Sequence, residues 1–282
     1  MTAHLLIDAG NTRIKWRLCA GGSNQSGVAM TNDVDSDPSE MMGLKKIAAS
    51  ARNLKITASN VAGESIQYAL LAAVHPNPIH FVTSTASACG LINQYRQPSQ
   101  LGSDRFAALI AAHHLHDAMP SSATISNQQA KLVVMAGTAI TIDALTADGI
   151  FLGGVILPGL AAMQISLGQN TALLPPYQRS TAPSARLTAF ACDTLAAIQS
   201  GVMDAAVGAI GINIRRLQQT VSSNIEIVAS GGAIGAISHA ISPPPSIPLT
   251  IIDDLVIRGL YLIALEQNQA AAIPPSLLRE PD

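Results

Sequence analysis

An aspartate that closes an apolar strand just before a glycine turn can hold a metal ion beside a phosphate chain. This chain has one near its start, in Leu5-Leu6-Ile7-Asp8-Ala9-Gly10-Asn11-Thr12-Arg13-Ile14-Lys15. Asp8 suits Mg²⁺, which is bound through one or two carboxylates plus waters and phosphate oxygens. Gly10 has no side chain, so backbone and phosphate can approach closely. Asn11 and Thr12 offer donors, with backbone N–H groups directed into the turn. Lys15, on the returning strand, supplies positive charge. Taken alone, the segment also fits an ordinary hairpin with a polar turn.

The segment recurs. Val133-Val134-Met135-Ala136-Gly137-Thr138-Ala139-Ile140-Thr141-Ile142-Asp143 aligns with it without a gap when Gly137 is placed on Gly10. Gly137, Thr138 and Thr141 form a second candidate phosphate turn, with Asp143 further along. Two matched turns predict two related half-molecules with a phosphate chain held between them. A third element is Gly231-Gly232, after the apolar run Ile225–Ala229. Such a pair can lie flat against a nucleoside or phosphate where a strand gives way to a helix, or simply turn the chain. The fourth is Gly102-Ser103-Asp104-Arg105, which opens an apolar helix. A carboxylate beside a guanidinium there could orient a hydroxyl and clamp a substrate carboxylate. The plainer reading is a helix cap next to a surface arginine. Neither a Walker Gly-x-x-x-x-Gly-Lys-Ser/Thr nor the protein-kinase signature set is present, so a nucleotide enzyme here needs another scaffold.

These residues must be positioned by strands and helices in alternation. Strands are expected at Lys55–Val61, Pro78–Val82, Phe151–Val155 and Ile225–Ala229, besides the two hairpins. Helices are expected at Glu64–Val74, Asp104–His116, Ala161–Leu167, Asp193–Arg216 and Asp253–Gln267, from apolar spacing and flanking breakers. Gly21 to Glu40 reads as a polar loop. Met119 to Ala130 reads as a linker, and Ser242 to Pro248 as a stiff connector. The pattern predicts an α/β chain with mixed sheets in two similar lobes, residues 1–128 and 129–282, with the last helix free to pack back on the first lobe.

Composition narrows the function. The 282 residues are 48% hydrophobic and only 12% charged, about half the usual charged share. The net charge is −2 with no basic run, which argues against a nucleic-acid partner. No window offers the ~18 uninterrupted apolar residues of a membrane span, and the first ten residues lack a basic signal-peptide region. A cytoplasmic location is expected. Cys19, Cys89 and Cys192 are odd in number and far apart, which predicts buried reduced thiols. His113-His114-x-His116 puts two imidazoles on one helical face and the third elsewhere, so a packed or solvated helix is expected rather than a metal site. Asp253-Asp254 is expected to cap a helix, and Trp16 to lie in the core.

The ordered set of segments resembles the type III pantothenate kinases, of the superfamily that joins sugar kinases, actin and the heat-shock chaperone ATPases. The matching pieces are Asp8-x-Gly-Asn-Thr-x-x-Lys15, Gly102-x-Asp-Arg105, Gly137-Thr-Ala-x-Thr-x-Asp143, Gly153-Gly-x-x-x-Pro-Gly159, Asn170-Thr-Ala-x-Leu-Pro175, Thr194-x-x-Ala-Ile-Gln-Ser-Gly201 and Ser230-Gly-Gly232. The resemblance implies two ribonuclease H-like lobes, a nucleotide cleft between them, and phosphorylation of pantothenate by ATP at the entry to coenzyme A synthesis. It implies that Asp8 organises Mg²⁺ and the ATP phosphates, with Gly10, Asn11, Thr12 and Lys15 on the same loop. Gly137, Thr138 and Thr141 would lie on the second phosphate loop, and Gly231 and Gly232 near the nucleoside. Asp104 would hold the acceptor hydroxyl and Arg105 the pantothenate carboxylate, with Tyr95, Gly102 and Ser103 in the same pocket. Thr194 matches a residue supplied by the neighbouring subunit of a homodimer. One departure stands out: where the family carries Asp or Asn to hold a monovalent cation, this chain has Met135. A thioether is a poor ligand for a hard cation, so K⁺ or NH₄⁺ activation is in doubt. The rival readings are another phosphotransferase or ATPase on this scaffold, or a non-enzymatic accessory protein.

Overall fold

The computed structural model describes residues 3–20, 23–31, 34, 41–50, 53–116, 129–171, 174, 190–241 and 246–271. In chain order the strands are β1 (Ala3–Ala9), β2 (Arg13–Ala20), β3 (Ser23–Met30), β4 (Leu54–Asn60), β5 (Ile79–Phe81), β6 (Ser87–Ala88), β7 (Leu91–Asn93), β8 (Ala130–Ala136), β9 (Ala139–Leu145), β10 (Ile150–Pro158), β11 (Ile225–Ser230) and β12 (Leu249–Ile251). The helices are α1 (Met42–Ser50), α2 (Glu64–Val74), α3 (Ser103–His113), α4 (Leu160–Asn170), α5 (Thr194–Thr220), α6 (Ile234–Ala240) and α7 (Leu255–Ala271). The chain divides into two compact units, one of residues 1–115 with 255–282 and one of residues 116–254.

In the first unit the sheet order is β3-β2-β1-β4-β5. β1 and β2 are antiparallel, and β4 and β5 run parallel to β1. β1 is central and buried on both faces, which explains its unbroken apolar run up to Asp8. β2 buries Ile14, Trp16 and Leu18 on one face only, the alternation of a half-covered strand. These join Ile56, Ala58, Ile66 and Leu70 in one core. α7 packs against α3 closely enough that a Cβ on Gly259 would meet the Ala107 carbonyl oxygen at 1.8 Å.

The Gly21 to Glu40 stretch is not a plain loop. Ser23 to Met30 forms β3, antiparallel to β2. The edge of β2 offers unpaired N–H and C=O groups, and backbone pairing needs no apolar pattern. Gly27 leaves room for Trp16: a Cβ there would fall 2.2 Å from the indole Cζ2.

Within the second unit the order is β12-β11-β8-β9-β10. β8, β9 and β10 form an antiparallel meander, while β11 and β12 run parallel to β8. This repeats the first unit strand for strand, the arrangement of a ribonuclease H-like sheet. α5 and α6 cover this sheet, with Met203, Ala206, Ile210 and Ile214 packed on Leu132, Val134 and Ile227.

The two hairpins differ by one residue. Ala9 pairs with Ile14, leaving four residues in the first turn, while Ala136 pairs with Ile140, leaving three. The gapless alignment is therefore off by one beyond the turn. Gly10 N–H donates to the Arg13 carbonyl at 3.0 Å, but Gly137 N–H reaches the Ala139 carbonyl at 2.9 Å. In register, Lys15 stands opposite Asp8, and Thr141 stands opposite Met135. Because side chains alternate faces, the single residue decides which side chain follows the turn on a given face.

Candidate active site

Asp8 ends β1 half-buried, directly opposite Lys15 on β2. Thr31 pins the turn between them: its hydroxyl donates to the Gly10 carbonyl at 2.7 Å, and its N–H donates to the Thr12 carbonyl at 3.1 Å. Asn11 and Thr12 are left exposed at the tip. A single, partly desolvated carboxylate at a strand end fits a Mg²⁺ that keeps most of its water and phosphate ligands.

A second cluster stands at the same end of this sheet. β4 pairs with β1 so that Ser59 faces Asp8 and Asn60 faces Ala9. Ser59 Oγ lies 2.8 Å from Ser103 Oγ, the first residue of α3. Asp104 and Arg105 follow in the first turn of that helix. Asp104 Oδ1 accepts the Arg105 N–H at 2.7 Å, an anion placed at the positive end of the helix. Burial raises the Asp104 carboxyl above its ordinary value; the Arg105 N–H and guanidinium oppose this without cancelling it. Arg105 is only 6% exposed, so it is not the surface arginine of the plainer reading. Its Nη1 donates to the Tyr95 hydroxyl at 3.1 Å, and its Cζ lies 5.8 Å from the Tyr95 ring centroid, within range of a cation–π contact.

The loop carrying Tyr95 is held by Asn93, which the sequence did not single out. Asn93 Oδ1 accepts the Tyr95 N–H at 3.0 Å. Its amide nitrogen donates to Ser84 Oγ at 3.1 Å and to the Thr85 and Pro98 carbonyls at 3.3 Å. Ser59 was missed as well. Both are buried polar residues in segments that carry no recognisable motif.

In the second unit, two backbone segments converge on the Gly137 turn. Gly159 N–H donates to the Thr138 carbonyl at 2.9 Å, and Ala233 N–H to the Ala136 carbonyl at 3.0 Å. A Cβ on Gly159 would meet the Gly137 carbonyl at 2.3 Å, and one on Gly231 would meet the Ala136 carbonyl at 2.3 Å. Gly231 also has φ +111°, a conformation that side chains disfavour. Gly232 is exposed with nothing within 4 Å of its missing side chain. Thr141 is 9% exposed, and its buried hydroxyl has no hydrogen-bond partner. A hydroxyl left so is costly and suits a site whose ligand supplies the partner. Asp143 is 1% exposed and packs its carboxylate over Gly154. Gly159 is the residue here whose role its motif did not reveal.

Thr194 opens α5 with its side chain exposed; Asp193 caps the helix by accepting the Ala196 N–H at 2.9 Å. The histidines take separate partners. His113 is buried edge-on against His114 at 4.9 Å, His114 Nε2 meets the Cys89 carbonyl at 2.7 Å, and His116 Nε2 meets Glu226 at 2.8 Å. The cysteines are free, but not all are buried: Cys19 and Cys89 are half-buried and Cys192 is exposed, since it lies in the solvent-facing lead into α5. Glu266 accepts the Cys89 N–H and thiol at 2.8 and 3.3 Å. Burial and then that carboxylate push the thiol up to about 12. Asp253 and Asp254 immediately precede α7, and Trp16 is in the core as expected. The linker at 119–128, residues 242–245 of the proline-rich connector, and half of the motif ending at Pro175 lie outside the described residues.

Two units with the same 3-2-1-4-5 strand order, each opening on a glycine-turned hairpin, define a chain of the sugar-kinase and actin-like ATPase fold. A Sinorhizobium meliloti protein assigned as a 2-dehydro-3-deoxygalactonokinase has this fold, with a TM-score of 0.56 at 14% identity over 99% of this chain and 100% of that one. So does the activator of the 2-hydroxyisocaproyl-CoA dehydratase from Clostridium difficile, with a TM-score of 0.51 at 11% identity over 97% and 98%. Residues 4–216 match the family model for type III pantothenate kinase, and the chain belongs to that family. It is 38% identical over 275 residues to the type III pantothenate kinase of Paraburkholderia xenovorans, covering 92% of this chain and 94% of the relative. It is therefore an ATP-using kinase.

Proposed function

We propose that the chain transfers the γ-phosphoryl group of ATP to the primary hydroxyl of pantothenate, giving 4′-phosphopantothenate and ADP, the first step of coenzyme A biosynthesis. The observation that carries this reading is the corner at the start of α3. There a carboxylate with a raised pKa stands next to a buried guanidinium that is already aimed by Tyr95. Arg105 binds the pantothenate carboxylate, and Tyr95 holds the guanidinium in place. Asp104 orients the acceptor hydroxyl. The hydroxyl oxygen forms the new P–O bond as the bond from phosphorus to the β,γ-bridging oxygen breaks. The hydroxyl proton passes to Asp104 and on to solvent. Such transfer depends mainly on position and charge, so Asp104 acts first by orientation. Its raised pKa helps it accept the proton.

Asp8 would hold Mg²⁺, which neutralises charge on the phosphate oxygens when bound. Gly10, Asn11, Thr12 and Lys15 line the same phosphate site. Gly137, Thr138 and the unpartnered Thr141 hydroxyl contact phosphate, and Gly231-Gly232 lies against the nucleoside. Met135 fits no hard cation, so we read the dependence on K⁺ or NH₄⁺ as weak.

The working form is read as a homodimer in which Thr194 serves the neighbouring site. Supporting this, Thr194 is exposed beside Leu195 at 54% and Phe190 at 93% exposure, apolar surface that usually marks an interface. Among the described residues, α5 is the one helix long and apolar enough to cross a membrane by length and composition. We read it as an interface helix of a cytoplasmic enzyme with no membrane or nucleic-acid partner.

The test is direct: purified chain, ATP, Mg²⁺ and pantothenate, with the product identified by mass. No phosphopantothenate at saturating ATP overturns the reading. Transfer to a different hydroxy acid would keep the scaffold and change the acceptor. Sedimentation of the purified chain as a monomer would remove the dimer.

A further inference from the structure

β4 and α3 meet through two hydroxyls. Ser59 Oγ and Ser103 Oγ are 2.8 Å apart; Ser59 has no exposed surface and Ser103 is 8% exposed. Each belongs to a different half of the proposed chemistry. Ser59 is the ladder partner of Asp8, and Ser103 is the covalent neighbour of Asp104.

We propose that Ser59 is a positioning residue, which locks the acceptor-binding end of α3 to β4, the strand laid directly beside the one that carries Asp8. The proposal rests on the reading of Asp8 and Asp104 given above. Core packing alone does not require a hydroxyl here. β4 supplies its apolar contacts through Leu54, Ile56 and Ala58, and a pair of alanines at 59 and 103 would pack there without a polar group to satisfy. Apolar contact is non-directional and lets a helix slide, whereas a hydrogen bond fixes separation and angle. The contact of Gly259 with Ala107 holds the middle of α3 against α7, one turn beyond Ser103 and away from the reacting end. The hydroxyl pair is a side-chain bond between β4 and that end. Phosphoryl transfer is sensitive to such placement, since a misfit of about 1 Å can cost about 100-fold in rate.

The experiment compares Ser59→Ala, Ser103→Ala and the double variant with the wild type. Ser59→Ala should lower kcat by roughly 10- to 100-fold with the KM for ATP unchanged. It should also release more than one ADP per phosphopantothenate, because water competes for a phosphoryl group that the acceptor no longer meets in line. The double variant should be no worse than either single one, as expected when both remove the same interaction. Amide hydrogen exchange at residues 103–106 should quicken in Ser59→Ala. Additive losses, an unchanged ADP-to-product ratio, or a fall in melting temperature with full kcat per folded molecule would overturn the proposal. A wild type that makes no phosphopantothenate would defeat the acceptor reading, not the tether. Exchange at residues 103–106 then decides: unchanged protection in Ser59→Ala refutes the tether, and quickened exchange supports it.

Discussion

A Cβ on Gly102 would stand 2.6 Å from Asp104 Oδ1, so the glycine and the carboxylate compete for one space. The glycine precedes α3 with φ −54° and ψ 139°, a conformation open to any residue. Its side chain is excluded by the aspartate rather than by the backbone. The carboxylate cannot swing away cheaply, because it is short and holds the Arg105 N–H. Gly102→Ala should therefore fold normally and lose roughly 10- to 100-fold in kcat through a displaced Asp104. Steady-state kinetics beside a melting curve checks this; full activity would mean that Asp104 need not sit where it does.

Asp104→Asn should separate activity from stability. Burial raises the carboxyl's pKa in the folded chain above its ordinary value. The folded state thus binds the proton more tightly than the unfolded one. The stability this group contributes is fully present below the unfolded pKa and is lost as pH rises through the raised folded value. At neutral pH the buried charge is a net cost, which asparagine removes. The variant should be nearly inactive yet melt no lower than the wild type at pH 7.5, with its advantage shrinking as the pH falls through the raised folded value towards the unfolded one. A clear drop in melting temperature at pH 7.5 would contradict the assignment.

Gly231 and its neighbour should respond in opposite ways. Gly231→Ala meets both φ +111° and the Ala136 carbonyl, and should destabilise the chain by about 2 kcal/mol or more, measured by urea denaturation. Gly232→Ala meets nothing within 4 Å; its stability should stay within about 0.5 kcal/mol of wild type, while the KM for ATP rises. An unchanged KM in Gly232→Ala would remove this pair from the nucleoside site.

Met135 carries a prediction about salts. Replacing K⁺ by Na⁺ should change the rate of the wild type little, because a thioether does not bind hard cations. Met135→Asp should make the rate depend on K⁺ or NH₄⁺. A strong loss of wild-type activity in Na⁺ would show that other oxygens build the cation site.

Much of the fold was legible because apolar runs and breakers coincide with the elements. Glu64–Val74 is a helix from its acidic start to the turn before Pro76, and both glycine hairpins form. β3 was illegible, because an edge strand is held by backbone bonds and Ser-Asn-Gln-Ser-Gly gives no alternation. The helix ending at His113 rather than His116 was equally hidden, since nothing in Ala112-His113-His114-Leu115 breaks a helical pattern.

Sequence alone determined which residues could do chemistry here, and the family they belong to, because motif type and order survive without coordinates. It singled out Asp8, Asp104 and Arg105 as candidates and marked Met135 as a departure. Tertiary structure decided what those residues face. A turn one residue shorter sets Thr141, not Ile142, across from Met135, and strand alternation turns that single residue into a change of face. Arg105 became a buried, aimed cation only when α3 packed and the Tyr95 loop closed on it. Ser59 acquired a role only when β4 was laid beside β1 with α3 across its end. Contacts between residues 44 positions apart depend on how distant elements pack, and local sequence pattern carries no record of that.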